Sequence, residues 1–212
     1  MTEFCLIGPD EGPLLLLAHG AGAAMTSPFL EAFAGLVAER GLATARFEFA
    51  YMAARRDGGK RRPPPKAETL VGEYEAALSA ARGRWPGRLV FIGGKSMGGR
   101  VASYIAQAQF EAGTIRGLVS LGYPFHPPAK PESLRTSHLI TLSCPTLIVQ
   151  GERDPFGTKA EVAAMGLPAS IAFHWAGDGD HDLGPRGGKG FTRKGNLTAA
   201  ADAVAAFARA VA

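Results

Sequence analysis

Residues 89–100 read Leu-Val-Phe-Ile-Gly-Gly-Lys-Ser-Met-Gly-Gly-Arg, and this stretch decides the fold of the chain. An apolar run of strand character leads into Gly-x-Ser-x-Gly, and an alanine-rich segment that favours helix follows. In this arrangement the serine occupies a tight strand-to-helix turn that exposes its hydroxyl. The turn leaves little room two positions away, and Gly94 and Gly98 meet that requirement. The stretch therefore predicts Ser96 as a nucleophile at the start of a helix.

The tripeptide at 94–96, Gly-Lys-Ser, also resembles the end of a phosphate-binding loop of nucleotide-binding proteins. That loop needs a further glycine five residues before Gly94, and Leu89 stands there. The sequence therefore excludes this type of nucleotide site.

Composition points to one globular domain over residues 1–212, because 46% of the residues are hydrophobic and 20% are charged.

The longest aliphatic run, 14–18, is too short to cross a bilayer, and the first residues lack the features of a signal peptide. Cys5 and Cys144 do not make a disulfide framework and are interpreted as buried small hydrophobes in a reducing compartment. We therefore expect a cytoplasmic protein without a membrane partner.

Apolar runs alternate with helical patterns along the chain. The predicted strands span 2–8, 14–18, 42–49, 88–93, 115–121, 145–150 and 170–175. Helices are predicted from about residue 28, over 68–82, 96–109 and 159–165, near Leu134, and from an Asn196 cap to residue 211, whereas 51–66 is predicted to be irregular. This alternation predicts an α/β fold, with a mostly parallel central sheet, helices on both faces and every strand-to-helix loop on one edge.

A serine hydroxyl needs a base, and the base needs an acid that orients it. His181 follows the last predicted strand, and Asp154 follows the strand before it. The chain order Ser, Asp, His is that of the α/β-hydrolase fold. The sequence therefore predicts a triad of Ser96, Asp154 and His181.

Other side chains could take these roles. The alternative bases are His19, His126, His138 and His174, and the alternative acids are Glu152, Asp178, Asp180 and Asp182. The three aspartates at alternate positions also suggest a calcium loop, but that loop needs glycine at 183 and glutamate at 189, where Leu183 and Lys189 stand. We therefore predict no metal site and no cofactor.

An oxyanion formed by attack of Ser96 on a carbonyl needs two N–H donors. Met97, directly after the serine, is the first candidate. The second should lie in the loop after the early buried strand, where 19–23 read His-Gly-Ala-Gly-Ala. Ala21 is assigned this role, with Gly22 as the alternative and a simple glycine turn as the competing interpretation.

Five motifs together resemble the small, lidless α/β-hydrolases related to dienelactone hydrolase, whose animal relatives include testis-expressed proteins and chromatin-complex subunits. The motifs are the segments 19–23, 94–100, 122–128, 151–157 and 179–183. The resemblance implies the α/β-hydrolase fold without a cap domain, since only about residues 122–142 stand where larger relatives carry a cap. It also implies a serine hydrolase, although dienelactone hydrolase itself uses a nucleophilic cysteine, so its lactone substrate does not transfer.

The expected activity is cleavage of a small ester or thioester through an acyl-enzyme. A peptidase or acyltransferase would use the same residues, and a non-catalytic interaction module of this fold is the alternative from another class. No motif that reads nucleic acid is present, so the expected partner is a small-molecule ester. The sequence does not indicate an oligomeric state.

Basic residues concentrate in 51–66, with six Lys or Arg against one Asp, and in 183–195, with four and no acid. Both segments follow predicted strands and so begin at the edge that carries the triad. One interpretation is that both segments are solvated basic loops that bind no ligand. The other is an anionic substrate contacted by Arg61 and Arg62, with Tyr123 also placed at the substrate rim.

Overall fold

Strand β4 (Val90–Lys95), which precedes Ser96, lies in the centre of a seven-stranded sheet. The computed structural model describes residues 2–56, 58, 63–187 and 190–212. The other strands are β1 (Cys5–Ile7), β2 (Leu14–Ala18), β3 (Ala43–Phe47), β5 (Gly117–Leu121), β6 (Thr146–Gly151) and β7 (Ile171–Ala176). Their order across the sheet is β1-β3-β2-β4-β5-β6-β7, so β1 and β7 form the edges.

All strand pairs are parallel except β1 with β3. Leu16 of β2 pairs with Ile92 of β4, and Ile92 pairs in turn with Leu118 of β5. Every residue of these three strands is buried. Continuous apolar strands of this kind are typical of parallel sheets covered on both faces, as the sequence predicted.

Helices cover both faces of the sheet. They are α1 (Pro28–Ala38), α2 (Ala50–Arg56), α3 (Val71–Arg84), α4 (Met97–Glu111), α5 (Lys159–Ala163) and α6 (Arg193–Val211), with a 3-10 turn at Ala67–Leu70 before α3. Leu14 and Leu16 pack with α3 and α4 in one apolar cluster, whereas Leu15 and Leu17 pack with α1 and α6 in the other. The alternation of side chains along β2 thus divides the core into two layers.

Three sequence predictions about elements were wrong. Residues 51–66 are not entirely irregular, because α2 covers the first six of them. No helix forms near Leu134, where the chain makes turns between β5 and β6. Asn196 does not cap the last helix, which begins at Arg193 after the cap Thr192, whose hydroxyl accepts from Gly195 N at 2.9 Å.

The 24 residues between β5 and β6 contain no helix or strand, so no cap domain stands over the edge where the strands end. Within the described parts of the chain, no helix combines the length and the apolar character needed to span a membrane. The two cysteines are free; Cys144 is buried and Cys5 is half-buried on the edge strand β1.

Candidate active site

Ser96 joins β4 to α4 in a left-handed backbone conformation, with φ 51°. A Cβ on Gly94 would lie 2.4 Å from the carbonyl carbon of Gly98, and a Cβ on Gly98 would lie 2.5 Å from His19 O. The backbone N–H of Ser96 donates to Leu121 O of β5 at 2.9 Å. The two flanking glycines and the neighbouring strand therefore hold the turn that the sequence predicted.

The structure brings Ser96, His181 and Asp154 together. His181 Nε2 lies 2.9 Å from Ser96 Oγ, and His181 Nδ1 lies 2.8 Å from Asp154 Oδ2. A carboxylate only accepts hydrogen bonds, so Nδ1 carries the proton and Nε2 is free to accept one from the serine. The Asp154 side chain is fully buried, whereas that of His181 is 23% exposed.

The loop that carries His181 is held by hydrogen bonds and ion pairs of its aspartates. Asp180 Oδ1 accepts from the backbone N–H groups of Asp182 and Gly184, at 2.9 and 2.8 Å. Asp178 pairs with Arg153 and Arg186, both at 2.9 Å. Among the described residues, no group of three or more His, Cys, Asp or Glu side chains could hold a metal ion.

The alternative histidines have other surroundings. His19 Nδ1 donates to Gly20 O at 2.6 Å, and its Nε2 accepts from Phe49 N at 3.1 Å. Burial lowers the pKa of His19 to about 4, with the charge of Arg55 adding to the effect, so this ring stays neutral. His138 contacts Ser103 Oγ at 2.8 Å, His126 lies 3.7 Å from Glu161, and His174 lies on β7.

Two polar residues of the site were missed by sequence reasoning, and the first is Gln150 at the end of β6. Its side chain is fully buried. Nε2 donates to Asp154 Oδ2 at 2.9 Å and Oε1 accepts from Tyr123 N at 2.7 Å. Gln150 therefore holds the acid and ties it to the loop after β5. A glutamine at the end of an otherwise apolar strand was the available signal.

The second missed residue is Lys95, directly before Ser96. It is 7% exposed, and its Nζ donates to the backbone carbonyl of His181 at 2.8 Å and pairs with Asp182 at 3.2 Å. Burial lowers the pKa of Lys95, and the charge of Asp182 opposes this shift. Nζ also lies 5.4 Å from the ring centre of Phe29. A lysine inside a buried strand was the signal in the sequence.

Met97 and Ala21, whose N–H groups are predicted to donate to an oxyanion, line the same cavity. Met97 is the first residue of α4, so its N–H has no acceptor within the helix. Ala21 lines the cavity beside Ser96 and Met97, whereas Gly22 does not. Tyr51 Oη donates to Ala21 O at 3.1 Å and thereby anchors this loop from α2.

The cavity at Ser96 has a volume of about 340 Å³, within the range of small-molecule sites. Most of its lining residues are apolar, and four are charged. The lining residues are Ala21, Pro65, Lys66, Ala67, Glu68, Ser96, Met97, Arg100, Pro124, Arg135 and Phe156. A larger cavity, about 490 Å³, lies beside α2 and α3 and touches none of the triad.

The sequence predicted that Arg61, Arg62 and Tyr123 contact the substrate at the rim of the site. Tyr123 is 1% exposed, so it does not lie at the rim. Its Oη donates to Arg135 O at 2.9 Å and thereby supports the segment between β5 and β6. The prediction for Tyr123 was wrong, because its ring packs in the core against Phe125. Arg61 and Arg62 lie outside the described residues.

A family model described as "Alpha/beta hydrolase domain" matches residues 11–209. The chain belongs to this α/β-hydrolase family. It is a lidless member related to dienelactone hydrolase, in agreement with the resemblance found in the sequence.

Solved structures share the fold of this α/β-hydrolase. Dienelactone hydrolase from Anabaena variabilis matches with a TM-score of 0.73 and 24% identity, over 97% of this chain and 90% of the other. An alpha-beta serine hydrolase homologue from Coxiella burnetii gives 0.71 and 19%, over 100% and 92%. Est1E from Butyrivibrio proteoclasticus, solved with ferulic acid bound, gives 0.69 and 16%, over 99% and 95%.

Proposed function

We propose that this α/β-hydrolase cleaves a small ester or thioester through an acyl-enzyme on Ser96. One observation carries the proposal: the continuous hydrogen-bonded chain from Ser96 Oγ through His181 to the buried Asp154, at 2.9 and 2.8 Å. Such a chain turns a weakly nucleophilic hydroxyl into one that can pass its proton to a base during attack.

In the first half-reaction, Ser96 Oγ attacks the carbonyl carbon while His181 Nε2 takes the hydroxyl proton. The carbonyl electron pair moves onto oxygen, and the N–H groups of Met97 and Ala21 stabilise that oxyanion. When the tetrahedral intermediate collapses, the bond to the leaving alcohol or thiol breaks, and protonated His181 gives that group its proton. Asp154 holds the tautomer and stabilises the imidazolium.

In the second half-reaction, water takes the place of the leaving group. His181 Nε2 accepts a proton from the water as its oxygen attacks the acyl carbon. Collapse then breaks the bond to Ser96 Oγ, which regains its proton, and releases the carboxylic acid. The His181 side chain is 23% exposed, so water can reach its ring.

The charge around the cavity favours an anionic substrate. Lys66, Arg100 and Arg135 line it against Glu68 alone. The basic segment 183–195 contributes less than its composition suggests, because Arg186 pairs with Asp178 and Arg193 lies 3.7 Å from Asp182. Among the described residues, the positive charge that lines the cavity therefore belongs to Lys66, Arg100 and Arg135.

Labelling with a fluorophosphonate probe tests the proposed function. The probe phosphonylates an activated serine, so wild-type protein should gain one adduct on the peptide that contains Ser96, and Ser96→Ala should gain none. Ser96→Ala removes one hydroxyl at a turn and should keep the wild-type melting temperature. No adduct on folded wild-type protein would favour a non-catalytic module instead.

Turnover of a substrate panel separates the reactions that share this triad. We expect hydrolysis of short-chain esters and thioesters at rates well above those of peptide amides of similar size. Transfer of the acyl group to an added alcohol in preference to water would identify an acyltransferase. Preferential cleavage of peptides would identify a peptidase.

A further inference from the structure

Arg135 lines the cavity beside Ser96 and has no acidic partner among the described residues. The acid nearest in the cavity wall, Glu68, is already engaged, because its Oε1 accepts from Arg100 Nη2 and from Tyr104 Oη. Burial lowers the pKa of Arg135, and the neighbouring charge of Arg100 adds to the shift. The charge of Glu68 opposes this shift, but that carboxylate is bonded to Arg100, so the half-buried guanidinium of Arg135 forms no ion pair among the described residues.

The backbone of Arg135 is held firmly although it lies in an irregular segment. Its N–H donates to Phe125 O at 2.8 Å, and its carbonyl accepts from Tyr123 Oη at 2.9 Å. Phe125 and Tyr123 are both buried, at 0% and 1% exposure. The core therefore fixes the backbone from which the Arg135 side chain extends. A binding side chain needs such a fixed backbone if its position is to be reproducible.

The cavity beside Ser96 is bordered by Phe156, whose ring centre lies 4.5 Å from that of His181. It touches Ser96 and both proposed oxyanion donors, Met97 and Ala21, but not His181. The leaving group must receive its proton from His181 Nε2, so it departs on the side of that ring. We expect the acyl substituent to occupy the rest of the cavity, whose lining includes Pro124 and Arg135.

We propose that Arg135 binds a carboxylate on the acyl part of the substrate, so that the enzyme takes monoesters or monothioesters of short dicarboxylic acids. This inference rests on the proposed function. The planar guanidinium matches a carboxylate with two parallel hydrogen bonds. Lys66, which also lines the cavity, adds positive charge, and the apolar lining residues accommodate the methylene chain between the two carbonyl carbons.

The test uses monoethyl succinate, glutarate and adipate, each beside the ethyl ester of the corresponding monoamide. The carboxamide has nearly the shape of the carboxylate but no charge. Wild-type enzyme should prefer the acid over the amide in kcat/KM for at least one chain length. Arg135→Gln should lower kcat/KM for that acid by about 10- to 100-fold, as expected for a hydrogen bond to a charged group, and change the amide by less than about threefold.

Lys130→Gln is the matched control, because it removes the same charge from the same loop at an exposed position outside the cavity. It should leave the preference for the acid unchanged. Arg135→Lys should keep part of that preference, since the charge remains and the two-pronged geometry is lost.

The outcomes distinguish this inference from the proposed function. Equal turnover of acid and amide by wild type, or an equal effect of Arg135→Gln on both, would overturn the carboxylate site while ester hydrolysis stands. Fluorophosphonate labelling of Ser96 in Arg135→Gln at the wild-type rate shows that the variant is folded and its triad intact. If wild type neither labels nor cleaves any ester, the proposed function fails and this inference falls with it.

Discussion

Lys95 Nζ donates a 2.8 Å hydrogen bond to the backbone carbonyl of His181. The residue directly before Ser96 therefore holds the histidine whose ring is hydrogen-bonded to Ser96. The two are 86 positions apart in sequence and belong to β4 and the loop after β7. Because Lys95 is buried and does not line the cavity, we expect it to act through His181, as a positioning residue rather than a catalytic one.

Lys95→Met should therefore reduce kcat by about 10- to 100-fold, the effect of losing a hydrogen bond from a charged donor, with little change in KM. The measurement is steady-state hydrolysis together with the rate of fluorophosphonate labelling. Asp182→Asn is the control, because it weakens the ion pair but keeps the bond from Lys95 to His181. Equal losses in both variants would assign the effect to the ion pair, and normal kcat in Lys95→Met would refute the positioning role.

Gln150→Leu should lower both kcat and stability. It leaves Asp154 Oδ2 with the bond from His181 alone and leaves Tyr123 N without a buried partner, and an unsatisfied buried group costs about 1–3 kcal/mol. Urea unfolding and steady-state kinetics measure the two effects. Gln107→Leu is the control, since Gln107 also accepts from loop backbone, at Ser143 N, but far along α4 from the triad. It should lose stability and keep kcat; an unchanged kcat in Gln150→Leu would contradict the role in holding Asp154.

His19 should make the protein less stable in mild acid. Its pKa is about 4 when folded and 6.5 when unfolded, so between these values the unfolded chain binds more protons and stability falls as pH falls. Between pH 7 and pH 5 this ring should contribute a loss of about 2 kcal/mol in the free energy of unfolding. Urea unfolding of wild type and His19→Gln at both pH values measures it, and an identical pH dependence in the two proteins would disprove it.

Two glycine-to-alanine substitutions should change the stability of the protein in opposite directions. Gly98→Ala forces a Cβ to 2.5 Å from His19 O, a backbone atom, so it should destabilise the protein and stop labelling of Ser96. Gly35→Ala, in the middle of α1, has no atom within 4 Å of the new Cβ and should stabilise by about 0.5–1 kcal/mol. Thermal unfolding compares them, and similar shifts would show that close packing at Gly98 is unimportant.

Much of this architecture could be read from local pattern. The fully buried runs at β2, β4 and β6 predicted a parallel sheet, and that topology alone places Ser96, Asp154 and His181 on one edge. The glycines around Ser96 predicted the turn because its steric demand is local. These features need only neighbours in sequence and the general rules of parallel sheets.

What was missed depends on contacts between distant residues. Helix α2 begins at Ala50, whose N–H donates to Glu73 Oε2 at 2.7 Å on another helix, and no nearby residue signals that contact. Asn196 looks like a helix cap, but its amide instead donates to Gly177 O and Leu183 O, at 3.0 and 2.8 Å. Lys95 and Gln150 acquire their roles only when the sheet brings the loops after β5, β6 and β7 together.

The order of the three triad residues along the chain also bears on when the molecule becomes reactive. During synthesis from the N-terminus, Ser96 and both oxyanion amides are made before β6 and β7 exist. A nascent chain therefore carries the nucleophile for a time without its acid or its base. Under the proposed mechanism it stays inert until the last two strands add in parallel beside β5, a slow, long-range step. Under that mechanism, hydrolysis requires the chain to have folded at least as far as His181.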